Sequence, residues 1–197
     1  MPLTRDPTGR ALLGGLALDT ILGRSDVSTP FYAYDVDAVV AEAAHLQDGF
    51  DGAPSLVCYA VKANSAGRIL RRLAHAGVGA DIVSGGELDV CLGAGIPADR
   101  IVWSGVAKTD AELDRGIAAG LLSLHVESVE ELGRILARAS ALCLPASVSL
   151  RVNPSVEVDT HANIATGHDE AKFGIPHAEV PRALALLETL SRMKLVG

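Results

Sequence analysis

Cys58-Tyr59-Ala60-Val61-Lys62-Ala63-Asn64-Ser65 carries an apolar run onto a single lysine and then directly into polar residues. Residues 56–61 have the composition of a buried strand, and Asn64-Ser65 suits the start of a helix. A lysine at the carboxyl end of such a strand stands at the mouth of a sheet or barrel. Partial desolvation there would lower its pKa and make its amine a usable nucleophile. The bland alternative is a side chain that snorkels from the strand end into water. The order of the neighbouring segments decides between the two.

Downstream, strand-like and helix-like segments alternate. Strand 56–59 precedes helix 66–76, whose apolar face is Ile69, Leu70 and Leu73 and whose stop is Gly77. Strand 78–83 leads to helix 86–92, strand 101–103 to helix 110–119, and strand 121–126 to helix 128–139. In the last of these, Ser128 is the expected N-cap and Glu131 the partner in a capping box. Strand 147–152 is followed by a polar connection, 153–174, then by helix 177–191 and Lys194-Leu195-Val196, which begins a sixth strand. Upstream, 31–34 reads as a short strand and Asp35 as the cap of a helix. Residues 1–28 read as a loose leader.

Such alternation implies parallel strands joined by right-handed crossovers. Repeats of roughly 20 to 30 residues, without a glycine-rich dinucleotide fingerprint after the first strand, favour a (β/α)8 barrel. About five complete units and the start of a sixth are present. The expected fold is therefore α/β, a TIM-type barrel present in part over residues 29–197. A complete five-unit doubly wound sheet is the competing reading. An open barrel leaves two strand edges and an apolar interior to be covered.

Composition narrows the classes. The 197 residues are 49% hydrophobic, enough for a sizeable core, with 20 glycines and only 4% aromatics. The net charge of −7 is spread without long runs, which gives no support to nucleic-acid binding. No apolar run approaches the roughly 20 residues that span a bilayer. The first ten residues lack a signal-peptide pattern, so a cytoplasmic location is expected. Cys58, Cys91 and Cys143 are far apart and form no CxxC pair, as befits thiols in a reducing compartment.

Chemistry in such barrels sits at the carboxyl ends of strands. Those ends offer Lys62; Asp81 with Ser84 and Glu87; Ser104; His125 with Glu127; and Arg151 with Asn153. A lysine amine among acids, without metal-ligand spacing, points to Schiff-base chemistry. His161 and His168 share a loop with Asp159 and Asp169, but their spacing matches no HExxH-type pattern, and no metal is expected.

Taken together, these segments resemble a known family. Tyr59-Ala60-Val61-Lys62-Ala63-Asn64, Gly79-Ala80-Asp81-Ile82-Val83-Ser84-Gly85-Gly86-Glu87-Leu88 and Val102-Trp103-Ser104-Gly105-Val106-Ala107-Lys108-Thr109 follow one another in order. Val126-Glu127-Ser128, Arg151-Val152-Asn153-Pro154, Thr160-His161, Thr166-Gly167 and Lys172-Phe173-Gly174-Ile175 continue the series. Their order and spacing are similar to those of the diaminopimelate decarboxylases, within the fold-type III pyridoxal-phosphate decarboxylases, over residues 29–197.

The resemblance implies pyridoxal 5'-phosphate as cofactor, with Lys62 as its Schiff-base lysine. It implies Asp81 near the cofactor, Glu87 ordering that side of the pocket and Arg151 near the phenolic oxygen. His161 and Lys172 fall in a loop that serves the pocket or the substrate. The implied reaction converts meso-diaminopimelate, a small amino acid, to L-lysine in a homodimeric enzyme. Departures occur at His161-Ala162 and at Ala165-Thr166-Gly167, where the family has a proline and a serine. The family's ring-stacking histidine, phosphate loop, pyridinium-pairing acid and C-terminal β-domain fall beyond Gly197. This polypeptide alone is accordingly expected to be weak or inactive. Other fold-type III decarboxylases or racemases, acting on ornithine, arginine or a D-amino acid, share much of the pattern. A non-catalytic relative is a further alternative.

Overall fold

The computed structural model describes residues 3–24, 26, 28–154, 173–188 and 193–197. The N-terminal segment is more ordered than a loose leader. Strands β1 (Thr4–Arg5), β2 (Ala11–Leu13) and β3 (Leu16–Ala17) form an antiparallel meander that runs into helix α1 (Leu18–Leu22). The Asp6 carboxylate makes the first turn by accepting from the backbone of Thr8 and Arg10, a local device that hydropathy does not register. Residues 31–34 have strand-forming side chains but join no sheet, and Tyr32 and Tyr34 stand exposed. Propensity without a partner edge makes no strand. Helix α2 (Val36–Asp48) starts as expected, with Asp35 accepting from Ala38 N.

The main sheet has six strands. Between β4 (Cys58–Ala60) and β5 (Gly79–Ile82) runs helix α3 (Gly67–His75), and α4 (Gly85–Gly93) leads to β6 (Ile101–Trp103). Helix α5 (Asp110–Ala119) leads to β7 (Ser123–Val126), and α6 (Val129–Leu142) to β8 (Ala146–Leu150). The short strands β9 (Val152–Asn153) and β10 (Ile175–Pro176) pair with each other. Helix α7 (Val180–Glu188) precedes β11 (Met193–Leu195), which pairs in parallel with β8. The sheet order is β11-β8-β7-β6-β5-β4, every pairing parallel.

That order decides between the two sheet architectures. A doubly wound sheet reverses direction at a switch point, whereas here each strand lies beside its predecessor without reversal. Right-handed crossovers then place all the helices on one face, which is how a (β/α)8 barrel is wound. The chain is part of such a barrel.

The core sits between strands and helices. Leu113 and Ile117 of α5 and Leu132 and Ile135 of α6 share one buried cluster with Trp103, Leu124, Val126 and Val148. A smaller cluster, Ala43, Ile69, Leu73 and Val78, lies beneath α2. Gly79 opens β5 because nothing larger fits: a Cβ there would come within 2.4 Å of the Arg100 carbonyl oxygen. Around the outside, Arg115–Asp89, Arg134–Asp110 and Arg138–Asp114 tie each of α4, α5 and α6 to its neighbour.

One expected continuity fails. The strand predicted over 147–152 breaks at Arg151, which donates its N–H to Val126 O at 3.0 Å and accepts from Ile175 N at 2.7 Å. This splits β8 from β9 and turns Arg151 towards the strand ends.

Candidate active site at the strand ends

Lys62 lies in a single 3-10 turn, Val61–Ala63, directly after β4. Val61 is fully buried and anchors the turn, while Lys62 is exposed. Lys62 follows β4, an edge strand of the described sheet, and is exposed where its place at a strand end suggests partial burial.

Lys62, Asp81, Ser104, His125 and Arg151 line one cavity of about 370 Å³, together with Ser149 and Leu150. Asp81 is the third residue of β5, and its Oδ1 is buried with no hydrogen-bond partner among the described residues. Ser104 Oγ and His125 Nδ1 share a hydrogen bond at 2.9 Å. Burial holds the His125 imidazole below its ordinary pKa of 6.5; the neighbouring Asp81 carboxylate opposes the shift, and the Lys108 charge adds to it.

The other candidates are placed differently. Ser84 caps α4 by accepting from Glu87 N at 3.3 Å, and Glu87 Oε2 accepts from Val83 N at 2.8 Å. Both close a helix N-terminus and neither lines the cavity, since their side chains turn back on the local backbone. Glu127 is buried behind Arg151. Its Oε1 accepts from Arg151 Nη1 at 2.9 Å and from Gly105 N at 3.0 Å, and its Oε2 accepts from Gly174 N at 2.9 Å. Gly174 has φ +85°, and a Cβ there would crowd the Arg151 carbonyl at 3.0 Å; only glycine brings that N–H so close. The Arg151 guanidinium also lies over the Phe173 ring, 4.9 Å from its centroid. Asn153 is buried in β9. His161, Lys172, His168, Asp159 and Asp169 lie outside the described residues.

Three residues of this region were not anticipated as site residues. Ser149 lies within β8, not at its end, and its Oγ is 2.7 Å from that of Ser123. Lys108 and Glu131 form a buried ion pair at 3.1 Å, with side chains 2% and 8% exposed. The expected capping box of α6 is half formed. Ser128 Oγ accepts from Glu131 N, but the Glu131 carboxylate turns to Lys108 and to Glu127 N. The complete capping box belongs to α5, between Thr109 and Glu112.

Among the described residues, no group of three histidines, cysteines or carboxylates could hold a metal ion, and no helix is long and apolar enough to cross a membrane. A primary amine, an unpartnered buried carboxylate oxygen and a guanidinium around one cavity instead suit a small anionic aldehyde, the chemical class of pyridoxal phosphate.

The fold and cavity define a β/α-barrel domain with a lysine-centred site at its strand ends. Comparison with known proteins makes the class particular. The family model described as pyridoxal-dependent decarboxylase, pyridoxal binding domain, matches residues 36–197, and the chain belongs to this family. Diaminopimelate decarboxylase of Pseudomonas fluorescens is 42% identical over 190 residues, covering 96% of this chain and 45% of that protein. The crystal structure of diaminopimelate decarboxylase from Helicobacter pylori complexed with L-lysine matches with a TM-score of 0.84 at 38% identity, over 91% of this chain and 45% of that one. The diaminopimelate decarboxylase from M. jannaschii in co-complex with L-lysine matches with a TM-score of 0.84 at 30% identity, over 97% of this chain and 45% of that one. The chain spans less than half the length of these relatives.

Proposed function

We propose that this chain is the pyridoxal-phosphate-binding part of a diaminopimelate decarboxylase, in which Lys62 is the catalytic lysine. The observation that carries the reading is the convergence of Lys62, Asp81, His125 and Arg151 on one cavity at the ends of consecutive parallel strands. The named relatives support the choice of substrate.

Bound in this cavity, pyridoxal phosphate supplies an electron sink that lets an amino acid's α-carboxylate leave as carbon dioxide. The residues supply the rest. Lys62 Nζ holds the cofactor through its amine and is the group placed to exchange a proton at the reacting carbon. Asp81 offers its free Oδ1 as an acceptor, and Arg151 brings a positive charge to the same cavity. His125, neutral at physiological pH, adds a hydrogen-bonding edge without a competing charge. In net terms, a proton replaces one carboxylate of meso-diaminopimelate, giving L-lysine and carbon dioxide.

With this reading go the remaining parts of the proposal. Residues 29–197 belong to the barrel, residues 1–28 lie outside it, His161 and Lys172 belong to the pocket side, and the working enzyme is a cytoplasmic homodimer.

The test is chemical. Borohydride reduction of the complete natural polypeptide incubated with pyridoxal phosphate should add one reduced cofactor, located by peptide mass at Lys62 and missing from Lys62→Ala. In the complete natural polypeptide, Lys62→Ala should also abolish carbon dioxide release from meso-diaminopimelate. An adduct on another lysine, or none, would sink the proposal.

A further inference from the structure

Lys108 and Glu131 lie behind the cavity, outside every role assigned so far. Lys108 Nζ is buried and donates to Gly105 O at 2.6 Å, to His125 O at 2.8 Å and to Glu131 Oε1 at 3.1 Å, which satisfies all three of its hydrogens. It thereby joins the loop after β6 to the end of β7. Glu131 uses its other oxygen to accept from Glu127 N at 2.8 Å, fixing the backbone from which the Glu127 side chain departs. Glu127 in turn gathers Gly105 N, Arg151 Nη1 and Gly174 N on one carboxylate. The chain of contacts therefore runs Lys108, Glu131, Glu127, Arg151, and only its last member lines the cavity.

We infer that Lys108 and Glu131 are positioning residues for the cofactor side of the pocket, acting through Glu127 to hold the Arg151 guanidinium in place. The inference rests on the proposed reading that this cavity takes pyridoxal phosphate. Its physical basis is that a buried ion pair is poor support for stability by itself, since replacing both charges is often neutral. What such a pair does provide is a single geometry, and here both carboxylate oxygens have distinct, well-aligned partners. An arginine held by one carboxylate and one aromatic face keeps its orientation only while that carboxylate is fixed.

The test separates position from stability. Lys108→Met alone would strand Glu131 as an unpaired buried charge and is expected to unfold the protein. The informative variant is Lys108→Met with Glu131→Gln, which removes both charges together; Glu131→Gln alone is the second variant, whose single amide oxygen cannot serve both Lys108 Nζ and Glu127 N and which leaves the buried Lys108 charge without its counter-ion. In the complete natural polypeptide the double variant should melt near the parent temperature. Its pyridoxal phosphate affinity should fall on the order of tenfold, the effect seen when a partner orienting a ligand-binding group is lost, and the absorbance maximum of the bound cofactor should move. In an Arg151→Gln background the same substitutions should cost nothing further, because the group they position is gone. Parent-like affinity and spectrum in either variant, or losses that add fully to those of Arg151→Gln, would overturn the inference. A parent protein with no Lys62 adduct would instead overturn the functional reading on which it rests.

Discussion

His125 shows how one side chain reports on its surroundings. It is half-buried, bonded to Ser104, and surrounded by Asp81 and Glu127, which favour its charged form, and by Lys108 and Arg151, which oppose it. Burial is the largest influence and leaves the folded pKa below the ordinary 6.5. The unfolded chain therefore takes up this proton first as pH falls. The stability tied to neutral His125 is fully present above pH 6.5 and is lost as pH drops towards the folded value. Urea unfolding of the parent between pH 8 and 5 should show this as a falling stability, and His125→Asn should flatten the slope (these limits being about 1.5 units either side of the histidine value). Identical slopes in the two proteins would remove the argument. At this scale the sequence reveals whatever follows an apolar run: Lys62, Asp81, Ser104, His125 and Arg151 are all polar residues at or beside strand ends. It hides Ser149, whose only signal is the alternation Ala146-Ser147-Val148-Ser149-Leu150. Lys108 and Glu131 carry no local signal of their pairing, because a charge in a loop or a first helical turn ordinarily faces water and only tertiary contacts bury it.

At the scale of elements, local rules work where a helix stop or start is made by its own residues. Gly77 and Gly120 end their helices in positive-φ conformations, and Asp35, Ser84, Thr109 and Ser128 each accept from the backbone three residues on. The rules fail where an alternative partner competes, as when Glu131 forsakes its box for Lys108. Thr109 and Glu112 have no such competitor. Their reciprocal bonds close α5, and Glu112 Oε1 also accepts from Gly85 N at 2.9 Å, joining the first turns of α4 and α5. Those donors, the Thr109 N–H foremost, hold the Glu112 carboxyl below its ordinary range. Thr109→Ala should destabilise the fold by about 1 kcal/mol, lowering the melting temperature by roughly 2–4 °C, while Thr109→Ser should recover most of the loss. An unchanged melting temperature in Thr109→Ala would mean that the cap contributes nothing beyond what water supplies.

For the whole molecule, sequential parallel order concentrates burial unevenly. Strands β5, β6 and β7 have neighbours on both sides and are overlaid by helices whose apolar faces belong to the larger core. The alternation of strand and helix made this layout readable, because each unit contains its own crossover; the N-terminal meander was not readable, being made by an Asp6 turn and three very short strands. Helix α2 is attached differently. It buries only Ala43 and rests on the small cluster with Ile69, Leu73 and Val78. Opening α2 therefore exposes little apolar surface, whereas opening β6 would expose Ile101 and Trp103 and the helices packed on them. Local opening free energies follow such differences. In native-state hydrogen exchange, amides of β5 to β7 should exchange only through the largest openings. Those of the β1–β3 meander and of α2 should exchange through smaller ones, at rates less sensitive to denaturant. Trp103, the sole tryptophan, is buried among the slow strands, so its emission should shift only after α2 amides have opened. Equal protection in α2 and β6 would show that the two clusters unfold as one unit and that burial alone does not rank them.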